Sequence, residues 1–276
     1  MVIRELVSEI SKNLIENAQF EARQIVMSAS GLDNTSLLLK ANEAVDDETI
    51  KKAYAMLDRR KNNEPLQYIL AGAEFMGLQF YVDKNVLIPR ADTETLVEEV
   101  LSRMESNKYD VLDIGTGSGC IGISIGHFNK NASVTFLDIS DSALEIAEKN
   151  ARINNVNGEF ICMDILKEYP NKKFDIVVSN PPYIRPDVIE TLQNEVKDFE
   201  PYNALYGGDD GLVFYRRITG IAPHILNDGG ILAFEIGYDQ GEAVKNLMNG
   251  FSQVRIIKDF CGNDRVVIGK IKNPVR

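Results

Sequence analysis

The chain contains no tryptophan, two histidines and three cysteines in 276 residues. Each scarcity excludes something. His127 and His224 lie in apolar surroundings with no acid–nucleophile or metal-ligand spacing around them, so neither is expected to be catalytic and no metal site is expected. Cys120, Cys162 and Cys261 form no C-x-x-C pair, which suits small buried residues in a reducing compartment better than a zinc site or a disulfide frame. No apolar run approaches the roughly 20 residues of a spanning helix. The first ten residues, Met-Val-Ile-Arg-Glu-Leu-Val-Ser-Glu-Ile, carry acids where a signal peptide has a basic head and an apolar block. A cytoplasmic protein without membrane association is expected. Basic residues are also short, 30 against 41 acidic, for a net charge of −11. Non-specific nucleic-acid binding rests on many Lys/Arg–phosphate contacts, so none is expected. The small cluster Lys51, Lys52, Arg59, Arg60 and Lys61 reads as a solvated helix face.

What is present is ordinary in bulk and informative in order. Apolar residues make up 44% and charged residues 26%, and the length allows two domains. Apolar positions recur at helical spacing in Ile3, Leu6, Val7 and Ile10, and again in Ile50, Ala53, Met56 and Leu57. Asp46 or Asp47 can cap the latter helix, and breaks fall at Gly31–Asn34 and Asn62–Pro65. Residues 1–72 are therefore expected to form a helical domain, 73–90 a linker with a hairpin, and 91–276 the main domain. Asp92 or Thr93 is the expected N-cap of a helix from Leu96 to Met104.

From residue 109 strands and helices alternate. Strands are expected at Tyr109–Ile114, Ser133–Asp138, Glu159–Met163, Phe174–Ser179 and Gly230–Ile236, with helices near 119–128, 141–154, 211–226 and 239–248. Val254–Lys258 and Arg265–Lys270 follow as a hairpin. Such alternation implies an α/β fold: a mostly parallel sheet covered on both faces and closed by an antiparallel edge.

Asp113-Ile114-Gly115-Thr116-Gly117-Ser118-Gly119 leaves one of these strands and enters a helix. Glycines there allow a tight turn and close backbone approach, and the helix N-terminus supplies N–H donors. Asp138 ends the next strand, where a carboxylate can accept from both ribose hydroxyls, and Asp164 ends the following one, positioned for a base edge. Together these give an adenosine pocket. Gly117, Gly119 and Gly122 also satisfy G-x-G-x-x-G, which keeps a nicotinamide-binding protein in view. No His or Lys stands in a hydride-transfer setting, and the acid directly before the loop suits S-adenosyl-L-methionine better. Methyl transfer is the favoured reading.

Asn180-Pro181-Pro182-Tyr183 terminates the strand Phe174–Ser179. It offers a side-chain amide, a carbonyl beside a ring without N–H, and an aromatic face, a combination able to grip a planar NH2 group. The acceptor is an amide or a nucleobase amino group; the tetrapeptide alone does not choose.

With these blocks in place the chain resembles the release-factor glutamine methyltransferases, the HemK/PrmC family. The match runs through Ile88-Pro89-Arg90-Ala91-Asp92-Thr93-Glu94, Asp113 to Gly119, Asp138, Asn180 to Tyr183, Glu200-Pro201, Ala204-Leu205, Gly208, Asp210-Gly211-Leu212, Glu235-Ile236-Gly237 and Asp264-Arg265. The resemblance implies a Rossmann-like, class I S-adenosylmethionine-dependent methyltransferase sheet with a small N-terminal helical domain. It implies methylation of the glutamine side-chain nitrogen in the Gly-Gly-Gln loop of peptide chain release factors; a monomer is a separate expectation. Gly115, Thr116, Gly117, Ser118, Gly119 and Asp138 would hold the cofactor with Asp164, and Ile165 would flank the adenine where the family often has Trp. Asn180 would contact cofactor and substrate, with Pro181, Pro182 and Tyr183 completing the glutamine pocket. The helical domain would select the protein substrate.

The chemistry expected of this loop is that the Asn180 side-chain oxygen and the Pro181 carbonyl each accept one N–H of the substrate amide while Tyr183 packs on its plane. Arg90 would pair with the methionine carboxylate of the cofactor, with a substrate acid, or across a domain link. Glu200, Glu235 and Asp264 are assigned to structural support. Rival readings are a glutamine of a ribosomal protein, adenine N6 in a nucleic acid, which would need base flipping and a basic face, and a non-catalytic cofactor-binding protein.

Overall fold

Residues spaced three and four apart turn the apolar stripes of the N-terminal segment inward. The computed structural model describes residues 1–105 and 107–272. Its first elements are α1 (Ile3–Ser11), α2 (Ala18–Ser30), α3 (Asn34–Leu39), α4 (Asp47–Lys61) and α5 (Leu66–Leu70). Ile3, Leu6, Val7 and Ile10 of α1 meet Ala22, Ile25 and Val26 of α2 and Ala53 and Leu57 of α4 in one core. Asp46, of the two acids expected as caps, accepts from the Thr49 amide at 2.8 Å and so satisfies a donor that α4 would leave open.

Contacts group Met1–Ala71 with Gln193–Phe199 in one unit, and Gly72–Leu192 with the chain from Glu200 onward in the other. The helical unit thus captures a segment that belongs, in sequence, to the second half of the chain. Arg60 anchors it: its guanidinium binds Glu21 at 2.8 Å and Glu195 at 2.9 Å, and the Arg60 side chain is only 13% exposed. The basic cluster is therefore not uniformly a solvated face. Arg59 binds Glu64 and Arg60 is buried in an acid pair, while Lys51 and Lys52 do face solvent.

In the larger unit, β1 (Ala73–Phe75) and β2 (Leu78–Phe80) form an antiparallel hairpin. A 3-10 turn at Ala91–Thr93 leads into α6 (Glu94–Leu101). The helix starts two residues earlier than expected and ends three earlier, and Thr93 makes no capping bond. Its hydroxyl is engaged elsewhere, and Asp92 pairs with Arg265 at 3.0 Å.

The alternating segment follows: β3 (Tyr109–Ile114), α7 (Cys120–Phe128), β4 (Ala132–Asp138), α8 (Asp141–Ile153), β5 (Gly158–Cys162) and β6 (Phe174–Ser179). After three short helices, α9 (Pro186–Ile189), α10 (Asn194–Lys197) and α11 (Tyr202–Leu205), come α12 (Val213–Ile225), β7 (Leu226–Glu235), α13 (Gly241–Leu247), β8 (Phe251–Lys258) and β9 (Asp264–Ile271). The sheet order is β5-β4-β3-β6-β7-β9-β8. The first five strands are parallel, and β9 runs antiparallel to both β7 and β8, as the alternation and late hairpin implied.

Both faces are covered, which is why the strands read as continuous apolar runs. Val111, Ile176, Val178 and Ala233 meet α6 and α7 on one side, while Leu112, Val177, Leu232 and Phe234 meet α12 on the other. β7 begins at Leu226 rather than Gly230, and its pairing with β6 shifts register between Phe174 and Ile176. Two cysteine expectations fail: Cys120 is buried, whereas Cys162 and Cys261 sit at exposed strand and turn ends. His224 is likewise exposed, stacked on Tyr169 at 5.4 Å. Among the described residues no helix is long and apolar enough to cross a membrane.

Candidate active site

Topology creates the site. β3 pairs with β4 on one side and β6 on the other, so chain direction diverges at the carboxyl ends of β3 and β6, where open α/β sheets bind ligands. The β3–β6 register pairs Ile114 with Ser179, and the Ser179 hydroxyl donates to the Ile114 carbonyl at 2.7 Å. The next residues on the two strands are Gly115 and Asn180. The glycine loop and the Asn-Pro-Pro-Tyr loop, 65 residues apart in sequence, therefore leave adjacent strand ends.

The glycine loop works by shape. Gly115 and Gly117 have φ of 68° and 54°, and nothing lies within 4 Å of the place where a Cβ would stand. Its N–H groups, expected to face a ligand, are mostly spent inside the protein. Gly115 and Thr116 donate to the Leu137 carbonyl at 2.8 and 3.0 Å, Gly117 donates to Asp138 Oδ2 at 2.9 Å, and Gly119 to the Thr116 carbonyl at 2.8 Å. Gly122, in the first turn of α7, donates to Asp113 Oδ2 at 3.1 Å. A carboxylate from β3 thus already occupies the helix start. The Thr116 and Ser118 side chains are buried, and the Thr116 hydroxyl donates to Asp113 at 2.6 Å.

Asp113 is fully buried, and its Oδ1 has no hydrogen-bond partner among the described residues. Burial pushes its carboxyl up to about 6, against the pull of Thr116 and the Gly122 amide. Asp138, half-buried at the end of β4, takes one N–H on each oxygen, from Gly117 and from Ser140 at 3.0 Å. Each oxygen keeps acceptor capacity for a further donor. Burial raises Asp138 as well.

Asp164 lies two residues beyond the end of β5. Its carboxylate accepts from the Leu166 amide at 3.0 Å and pairs with Lys167 at 2.9 Å, which holds it below the usual carboxylate range. Ile165 is 6% exposed and belongs to the core beneath the sheet, so its side chain presents little free surface. Its position beside the pocket is fixed by the Arg217 guanidinium, which donates to the Ile165 carbonyl at 2.7 Å.

Around the tetrapeptide the structure assembles residues that sequence reasoning treated as structural or passed over. The Asn180 amide nitrogen donates to Thr93 Oγ1 at 3.4 Å. Among the described residues nothing donates to Asn180 Oδ1 or to the Pro181 carbonyl. The Tyr183 hydroxyl reaches Glu235 Oε1 at 3.5 Å, and its carbonyl accepts from Gln240 at 3.2 Å. Burial and the nearby Glu235 charge push the Tyr183 hydroxyl well up, so the phenol stays protonated. Glu235 is itself 3% exposed, its Oε2 has no partner among the described residues, and burial raises its carboxyl to about 7 against the pull of Thr93 and Arg265.

Arg90 pairs with Glu200, whose other oxygen accepts from the Ile88 amide at 3.3 Å. Both partners lie in the larger unit, so the pair does not link the two units. The Glu235-Ile236-Gly237 block was a usable signal for the support behind Tyr183. Thr93, expected as a helix cap, meets Asn180 instead, and no sequence pattern marks Gln240, because its Nε2 partners are backbone carbonyls of remote loops.

Residues 91–196 match the family model described as Methyltransferase small domain, and residues 2–70 match the PrmC N-terminal domain. A release factor glutamine methyltransferase of Clostridium botulinum is 41% identical over 278 residues, covering 97% of this chain and 98% of that protein. One from Clostridium acetobutylicum is 41% identical over 94% of each chain. Among solved structures, a methyltransferase from Pyrococcus furiosus superposes with a TM-score of 0.54 at 22% identity, covering 72% of this chain and 91% of that one, a likeness of fold. With these full-length relatives the chain belongs to the release factor glutamine methyltransferase family.

Proposed function

We propose that this chain transfers a methyl group from S-adenosyl-L-methionine to the side-chain amide nitrogen of the glutamine in the Gly-Gly-Gln loop of peptide chain release factors. The observation that carries this reading is the orientation of Asn180. Its Nδ2 donates to Thr93, which leaves Oδ1, an acceptor only, without a donor among the described residues. An acceptor beside the free Pro181 carbonyl suits a ligand NH2 group and repels a carboxylate or a carbonyl.

The pocket fits the proposed methyl donor. The Cβ-free approach at Gly115 and Gly117, the spare acceptor capacity of Asp138 and the orphaned Asp113 Oδ1 are the features an adenosine and an amino-acid ammonium require. When bound, the cofactor supplies an electrophilic methyl group on a sulfonium with a neutral leaving group. The glycine loop, Asp138 and the Ile165 segment would hold it, with Asp164 acting mainly to close the turn beside the base.

The amide nitrogen is a poor nucleophile because its lone pair is delocalised into the carbonyl. Asn180 Oδ1 and the Pro181 carbonyl each take one N–H, which fixes the amide plane and aims the nitrogen. As that nitrogen gains positive charge, both hydrogen bonds strengthen relative to the ground state, the differential binding that lowers a barrier. Tyr183, held protonated, packs on the amide plane and is not the base. The methylated amide cation is acidic enough to lose its proton to water or a carbonyl.

The helical unit, Met1–Ala71 with Gln193–Phe199, is proposed to select the protein substrate, because one loop glutamine must be told from all others by a docking surface. Purified chain incubated with labelled methyl donor and release factor should label the factor, and a factor with Ala in place of the loop glutamine should stay unlabelled. Labelling of DNA or of a ribosomal protein with no labelling of the factor would overturn the assignment.

A further inference from the structure

Tyr183 is held at both ends by one short segment, the residues that leave β7. Glu235, the last residue of β7, meets its hydroxyl, and Gln240, five residues on, meets its carbonyl. The Gln240 amide is held at both ends. Its Nε2 donates to the Tyr183 carbonyl at 3.2 Å and to the Gly211 carbonyl at 3.3 Å, while its Oε1 accepts from the Gly237 amide at 3.0 Å. The Tyr215 hydroxyl lies 3.4 Å from Oε1 and gives its one proton to the Glu235 carbonyl at 2.9 Å. Both donors of the glutamine side chain are thus used on carbonyls. A flipped amide would set its oxygen against two carbonyls, so the network admits one orientation. Gly211, at φ 73°, lies so close that a Cβ there would stand 2.4 Å from the Tyr183 oxygen and 2.7 Å from Gln240 Nε2.

Three loops therefore converge on one side chain: the one after β6 that carries Asn180 to Tyr183, the one entering α12, and the one after β7. The peptide from Pro182 to Tyr183 has little freedom once the Tyr183 carbonyl is fixed at one end and Asn180 is tied to Thr93 at the other. The Pro181 carbonyl lies between these anchors.

We propose that Gln240 is a positioning residue for methyl transfer, holding the Tyr183 carbonyl so that the Pro181 carbonyl and Asn180 face the acceptor amide in the productive direction. This rests on the reading of Asn180–Tyr183 as the amide pocket. Misplacement of a reacting pair by about 1 Å costs on the order of 100-fold in rate, so loss of the clamp is expected mainly in kcat.

The test uses the full chain with release factor and measures kcat, KM, cofactor affinity by calorimetry, and Tm for Q240E, Q240A and N180A. An ionised glutamate donates to neither carbonyl and repels both, whereas a protonated one donates to one of them. The ratio of Q240E to wild-type kcat is expected near 1:100 at pH 8 and to rise about tenfold by pH 6, with cofactor affinity within twofold of wild type. The same reduction for Q240A should not depend on pH. Glu235, Tyr183, Tyr215, Arg265 and Asp92 around the clamp, and Asp264 beside Gly241, are common to wild type, Q240E and Q240A, so a pH dependence confined to Q240E belongs to residue 240. A ratio that is flat with pH, or a loss of cofactor affinity as large as the loss of kcat, would overturn the proposal. Should Q240E fail to fold, the isosteric Gln240→Met must reproduce the kcat loss at unchanged affinity, and wild-type kcat in that variant overturns it equally. N180A at wild-type turnover sinks the pocket reading itself, whereas N180A inactive with Q240E at wild-type kcat sinks only the clamp.

Discussion

The amide nitrogen of Asn180 donates to the hydroxyl of Thr93 at 3.4 Å, and Thr93 is 2% exposed. A residue from the turn before α6 thereby takes up the donor end of the Asn180 amide. Asn180→Ala is expected to lower kcat by about 100- to 1,000-fold, as removal of one preorganised charge-stabilising group does, with cofactor affinity changed by less than about fivefold. Thr93→Val, which keeps the volume and removes the hydroxyl, should lower kcat about tenfold, and Thr93→Ser should restore most of it. Single-turnover rates beside cofactor titrations separate the two effects.

Glu235 predicts a pH dependence of stability. Its folded carboxyl is raised to about 7 from an ordinary 4.5, so between these values the folded state holds a proton that the unfolded state has released. The contribution is present in full below about pH 4.5 and is lost as pH rises through about 7. A shift of this size corresponds to roughly 3 kcal/mol. Asp113 acts in the same direction over a lower window, from 3.8 to about 6. Urea unfolding of wild type against Glu235→Gln at pH 5 and pH 8 isolates Glu235: the variant should gain relative to wild type as pH rises. A constant difference would show that Glu235 ionises normally.

How far the sequence reached depends on the range of the interactions. The strands β3, β4 and β6 were readable because residues buried on two faces leave apolar runs, and the glycine loop and Asp138 because their chemistry is local to strand ends. The start of α6 was misread because Asp92 and Thr93, good caps in isolation, are spent on Arg265 and Asn180 instead. The Gln193–Phe199 excursion was invisible because attachments such as Arg60 with Glu195, across 135 residues, leave no local pattern. Gln240 was missed for the same reason. A polar side chain whose partners are backbone atoms of distant loops leaves no periodicity.

The Arg60 cluster carries a stability prediction for the helical unit. Glu21 has a side chain only 10% exposed and is paired with Arg60 at 2.8 Å. Arg60→Ala should cost roughly 3–5 kcal/mol, the usual result of stranding one buried charge. The double variant Arg60→Met with Glu21→Leu should recover most of it. Equilibrium unfolding followed by far-UV circular dichroism measures both.

In the cofactor pocket, Asp138→Ala removes the acceptor for the Gly117 and Ser140 amides and should weaken S-adenosyl-L-methionine binding by about 10- to 100-fold, a loss of roughly 1.4–2.8 kcal/mol. Ile165→Ala should behave differently. Its side chain is part of the core, so a loss of roughly 2–4 kcal/mol in stability is expected with a smaller effect on cofactor affinity. Calorimetric titration and thermal melts of the two variants give the contrast.

The most direct measurement of the central claim is mass spectrometry of a release factor incubated with this chain and S-adenosyl-L-methionine. A mass increase of one methyl group, placed by fragmentation on the side-chain amide of the Gly-Gly-Gln glutamine and absent with Asn180→Ala, is the expected result. A methyl group on any other residue, or on that glutamine at an undiminished rate with Asn180→Ala, would contradict the account.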